Sequence, residues 1–155
     1  MAVITRFEDL VAWQEARKLA QMVHGLLRQG HITRDFGISD QLRRSSTSVM
    51  TNIAEGFDCE SRLEFARFPV IARKSAVEVQ SLLYTALDDG YITQDIFDQN
   101  YQKASRVKAI INGLKRSLNT TKQVSESQAT YDTSDPLDTS DTSDTLDTLD
   151  TSSQS

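Results

Sequence analysis

Four successive stripes of apolar residues, spaced three and four apart, constrain this chain most, because only a helix gathers positions at that spacing onto one face. The first stripe runs through Leu10, Trp13, Ala16, Ala20, Val23 and Leu27 and stops at Gly30. The second takes Leu42, Val49, Ile53 and Phe57, and the third takes Phe65, Phe68, Ala72, Val79, Leu83 and Ala86 before Gly90. Phe97, Tyr101, Ala104, Val107, Ile111, Leu114 and Leu118 form the fourth. No alternating strand pattern competes with them. Helices of about 20 residues are roughly 30 Å long, and the short connections near 30–37, 58–60 and 90–92 favour antiparallel neighbours. The expected fold is all-α, an antiparallel up-down-up-down four-helix bundle over residues 1–119.

Local signals place the helix ends. Thr5 with Glu8, and Ser61 with Glu64, are spaced as capping boxes, while Ser39 and Thr93 are suited to cap the second and fourth helices. The run Ser45-Ser46-Thr47-Ser48 has weak helix propensity, so packing must hold it helical. Pro69 lies inside the third stripe and removes an amide that would bond the Phe65 carbonyl, which predicts a bend between Phe65 and Phe68.

The chain has 155 residues, and its 38 % hydrophobic content is low for a fully folded domain of that length. The deficit lies after Asn119, where an Asp-Thr-Ser repeat dominates; residues 120–155 are expected to be a disordered acidic tail. Eight acidic residues and one Lys give that segment −7, and 16 basic against 14 acidic residues give the body +2. The tail reads either as a self-repelling, solubilising appendage or as an intramolecular polyanion competing for a basic face. A single cysteine, Cys59, excludes an intramolecular disulfide and fits a reducing cytoplasm. No apolar run reaches a membrane span and no signal-peptide hydrophobic region is evident, so a soluble, cytoplasmic protein is expected.

Catalytic chemistry finds little material. Glu-x-x-His pairs of bundle di-metal sites are missing, since Gln21 and Arg28 stand three residues before His24 and His31. Cys59 sits between Asp58 and Glu60, which oppose a thiolate. Phosphate loops and nucleophile elbows are absent. The sequence predicts no enzyme, no catalytic or metal site, no cofactor and no small-molecule substrate.

The densest polar information lies in Leu42-Arg43-Arg44 and Val49-Met50-Thr51-Asn52-Ile53-Ala54-Glu55-Gly56-Phe57. Asn52 and Glu55 stand one turn apart among apolar residues, where unpaired polar groups are costly. With Ser75 and Glu78, and with Arg43, Arg44 or Arg73, they are expected to form a structural polar cluster that fixes helix register. A paired-carboxylate active site at Glu55 and Glu78 is the competing reading.

Together with Phe7-Glu8-Asp9-Leu10, Trp13-Gln14, Glu64-Phe65, Phe68 and Ile71-Ala72-Arg73, this stretch resembles the bacterial four-helix bundle family known as 23S ribosomal RNA intervening-sequence proteins. The family includes accessory proteins of diversity-generating retroelements. The resemblance runs from about Phe7 to Leu118. It implies a homo-oligomeric ring, a pentamer, whose basic outer surface contacts RNA and a reverse transcriptase. Self-association also fits a surplus of large apolar residues, Phe7, Trp13, Phe36, Phe65 and Phe68, over what one narrow bundle seam needs. Val49-Met50-Thr51 departs from the family's usual proline, and Pro69 stands where an aliphatic residue is usual.

Cations that could meet phosphates are Arg43, Arg44, Arg62, Arg67, Arg73, Lys74, Arg106, Lys108, Lys115 and Arg116. The bland reading of the same residues is a solvated bundle exterior. Two functions stay open: an oligomeric scaffold that binds RNA or a reverse transcriptase, and an interaction protein with protein partners only.

Overall fold

The computed structural model describes residues 3–131, with side chains through residue 120, and among them there are helices and turns but no strand. A 3-10 turn, Phe7–Asp9, precedes α1 (Val11–Leu26). A second turn, His31–Arg34, leads into α2 (Phe36–Phe57). The third predicted helix is two: a single turn, α3 (Arg62–Phe65), and α4 (Phe68–Asp88). The last is α5 (Gln94–Tyr131). Packing of α1 on α2 and α5, and of α4 on α2 and α5, closes the four-helix bundle.

Every apolar position of the four stripes is buried or half-buried, and Leu19, Leu42, Ile53, Leu83 and Ile111 are among the fully buried side chains at its centre. The helix starts depart in part from expectation. Asp35, not Ser39, caps α2, its Oδ1 accepting from the Ile38 amide at 3.2 Å. Ser39 instead donates to the Ile32 carbonyl at 2.6 Å and straps the preceding turn to the helix. The Thr5–Glu8 capping box does not form, because Glu8 pairs with Arg6 at 3.1 Å and the chain spends a 3-10 turn before α1 begins without a side-chain cap. Ser61 accepts from the Glu64 amide at 3.2 Å and Thr93 from the Ile96 amide at 3.3 Å, as their spacing predicts.

Pro69 does more than bend a helix. The chain breaks between α3 and α4, and Pro69 sits in the first turn of α4, where its missing amide leaves no bond unmade. At the far end, Gly90 takes φ 72°, a left-handed turn that lets the Tyr91 amide close on Ala86 at 2.9 Å. The helix α5 continues through Asn119 to Tyr131. Lys122 to Ala129 contains neither Pro nor Gly, so composition marks no stop at Asn119 itself. The tail expectation beyond Tyr131 lies outside the described residues.

Candidate functional site

Where α2 crosses α4, the polar cluster is built from small neutral groups. Asn52 Nδ2 donates to the Ser48 carbonyl at 2.8 Å and to Ser48 Oγ at 3.0 Å. Ser48 Oγ meets Ser75 Oγ at 2.9 Å, and Ser75 also bonds the Ile71 carbonyl at 3.1 Å. The weak helix formers of α2 are thereby satisfied, with Ser45 bonding the Gln41 carbonyl at 2.8 Å and Ser46 that of Arg43 at 3.2 Å. Glu55 and Glu78 are corrections to the expected cluster: both are exposed, and among the described residues neither carboxylate takes a hydrogen bond or an ion pair. The helix turn that carries Asn52 inward carries Glu55 out to water. No arginine joins the cluster either.

One turn further, Gly56 explains the end of the same motif. A Cβ there would stand 2.6 Å from the Phe65 ring and 2.7 Å from Phe68 Cβ. Only glycine lets α2 meet both aromatics of the broken third helix. Four of the five surplus aromatics, Phe7, Trp13, Phe65 and Phe68, are half-buried, with Phe7 edge-on to Trp13 at 5.1 Å and Phe65 edge-on to Phe57 at 6.2 Å.

The most strongly perturbed group is one that sequence reasoning missed. Glu15 of α1 is buried against α5, bonded by Lys103 and by Lys18 at 2.7 Å, with Arg106 at 3.9 Å. The Lys103 and Lys18 hydrogen bonds hold its carboxyl at about 2, against the desolvation that opposes them. Its spacing was the available signal, since Glu15 falls between Ala12, Ala16 and Leu19 on the buried side of α1. A second seam joins α4 to α5, where Gln80 donates to Ser105 at 2.8 Å and accepts from Lys108 at 2.8 Å.

The ten candidate cations divide accordingly. Lys108 is engaged by Gln80, Arg44 by Asp40 at 2.8 Å, and Arg106 leans toward Glu15. Arg43, Arg62, Arg67, Arg73, Lys74, Lys115 and Arg116 are exposed, and among the described residues none has a carboxylate partner. They do not gather in one patch. Contact of Ser48 with Ser75, and of Gly56 with Phe68, sets Arg73 and Lys74 at mid-bundle and Arg67 at the α2 C-terminus. Arg43 lies 13 residues before Gly56, roughly 20 Å along the helix.

Among the described residues no group of three or more His, Cys, Asp or Glu is arranged to hold a metal ion. His24 Nε2 lies 3.3 Å from Thr47 Oγ1, and His31 is exposed in the turn before α2. Partial burial pushes the Cys59 thiol up, with Glu64, Asp58 and Glu55 adding to the effect. No helix of the described residues is long and apolar enough to cross a membrane.

A closed antiparallel bundle with neutral and ionic seams defines the class: an all-α four-helix bundle protein. The family pattern of the 23S rRNA-intervening sequence protein matches residues 8–113, so the chain belongs to that family. It is similar in fold to a crystallised protein of unknown function from the S23 ribosomal protein family of Bacteroides thetaiotaomicron, with TM-score 0.62 and 23 % identity over 68 % of this chain and 98 % of that one. No curated protein matches the sequence.

Proposed function

We propose that the chain is a non-enzymatic, self-associating helical scaffold whose exposed cations bind RNA, in the manner of the retroelement accessory proteins its sequence resembles. The supporting observation is the set of seven exposed cations without a carboxylate partner among the described residues. Cations free of intramolecular pairs are available to replace the counterions of a phosphate backbone, and a body of only +2 gains strength when a ring repeats it. Self-association draws support from α4, where Val77 and Tyr84 are exposed seven residues apart on one helix face. A partner reverse transcriptase belongs to the same reading and is tested by whether its gene lies beside this one.

Filter binding of a structured RNA across a salt series tests the RNA role. The full chain is expected to lose affinity steeply with salt. The variant with Arg43, Arg67, Arg73 and Lys74 changed to Gln should bind more weakly with a shallower slope, and removal of 132–155 should raise affinity. Equal binding by the parent and the charge-depleted variant at low salt would replace the RNA reading by one with protein partners only. Light scattering decides the scaffold: a monomer at tens of micromolar (about the usual working range) removes it.

A further inference from the structure

Phe36 is the outlier among the aromatic side chains. It is 82 % exposed at the first position of α2, whereas the other large aromatics among the described side chains lie against neighbours in the bundle or, like Tyr84, against Phe97 at 4.7 Å. Its ring stands between two open concavities. One, of about 450 Å³, is bounded by His31, Arg34, Asp35 and Tyr91, and the other, of about 550 Å³, by Gly37, Ser39, Asp40 and Arg43. Gly37 puts no side chain beside the ring.

The charges around the ring are unequal in their freedom. Asp35 is committed, accepting from the Ile38 amide at 3.2 Å and from the Tyr91 hydroxyl at 2.9 Å. Asp40 is committed to Arg44 at 2.8 Å. Arg34 and Arg43 are exposed and, among the described residues, have no carboxylate partner. An aromatic face open to water, flanked by one free guanidinium in each concavity, complements a chain that carries both flat π-faces and phosphates.

We infer that Phe36 is a stacking platform for an unpaired base of single-stranded RNA, with Arg34 and Arg43 holding the phosphates on either side. Stacking on an aromatic needs a base that has left its helix, so duplex RNA gains nothing from this ring. Sequence preference should be slight, because every base presents a π-face. The inference rests on the RNA reading above and deepens it, giving that reading a site that acts by stacking in addition to charge.

Fluorescence titration of the full chain with a short single-stranded RNA carrying 2-aminopurine, beside the same strand in a duplex, tests it. Phe36→Ala should weaken single-strand binding about 5-fold to 100-fold, leave the salt slope unchanged and abolish the fluorescence change of the stacked base. Phe36→Trp should restore both affinity and signal, and duplex affinity should be the same in all three proteins. Arg34→Gln with Arg43→Gln should instead flatten the salt slope by about 0.7 for each phosphate that is no longer neutralised. Single-strand affinity unchanged by Phe36→Ala overturns the inference while leaving RNA binding intact. A smaller oligomer in Phe36→Ala with no change in RNA affinity overturns it in favour of a subunit interface. Absence of RNA binding by the parent protein at low salt removes the underlying reading and this site with it.

Discussion

The α2–α4 seam and the α1–α5 seam solve the same problem with opposite chemistry. Between α2 and α4, Ser48 links Asn52 of its own helix to Ser75 across the seam through neutral groups, and Gly56 admits two phenylalanines. Small side chains bring helices close and leave little to desolvate. Between α1 and α5 a buried carboxylate, Glu15, is matched by Lys103 and Arg106 from across the seam and by Lys18 of its own helix. The neutral seam is sensitive to added volume and insensitive to pH. The ionic seam has the reverse sensitivities.

The largest effect should come from adding volume to the neutral seam. Gly56→Ala places a methyl within 3 Å of Phe68 Cβ, an atom fixed to backbone, so about 2–3 kcal/mol of stability should be lost on chemical denaturation. A loss below about 0.5 kcal/mol would mean that α3 and α4 shift freely and that the close approach is incidental.

Next is the ionic seam. Glu15→Ala leaves the largely covered Lys103, 17 % exposed, without its carboxylate and should lower stability by about 2 kcal/mol, with Glu15→Gln recovering part of it. The pH dependence has a definite sign. Because the folded carboxyl sits at about 2, below its ordinary 4.5, its stabilisation is present above pH 4.5 and disappears as pH falls toward 2. Water reaches Lys18, so screening limits the contribution to about 1–2 kcal/mol. Melting the parent and Glu15→Gln side by side from pH 6 to 2.5 should bring their curves together at the acid end. Curves that stay parallel would exclude Glu15 as the titrating group.

These seams also mark what is legible in the chain. The bundle is legible because burial repeats at the helical period, and all four stripes lie inward. The Asn52 turn is legible as polar structure, yet Glu55 is not separable from it by sequence alone: residues three apart share a face only loosely, and here the boundary between core and water runs between them. Glu15 escapes notice because a lone glutamate on a helix reads as surface until Lys103, 88 residues later, is brought to it. Phe36 reads as apolar surplus, since exposure is a property of the fold and not of the residue. Pro69 reads as a kink, while the actual break needs Ser61 to begin a helix turn only four residues long.

Asn52→Ala tests the neutral seam without adding volume. It removes both donations to Ser48 and leaves Ser48 Oγ with Ser75 alone, so a loss of about 1 kcal/mol is expected. Unlike the Glu15 effect, this loss should stay constant between pH 6 and 2.5. A pH-dependent difference would show that an ionised group joins the seam.

The smallest effect sharpens the division most. Glu55→Ala and Glu78→Ala remove exposed carboxylates with no hydrogen bond or ion pair among the described residues, and each should change stability by no more than about 0.5 kcal/mol. Glu55 shares α2 with the exposed Arg43, and Glu78 shares α4 with Arg73 and Lys74, so removing negative charge there should leave the melt unchanged while modestly strengthening RNA binding at low salt. Thermal melts and salt-series binding on the same preparations read both quantities. A drop in stability of more than about 1 kcal/mol for either variant would return the carboxylates to the α2–α4 seam. The contrast between a neutral and an ionic seam would then have to be redrawn around a charge that the folded chain now leaves in water.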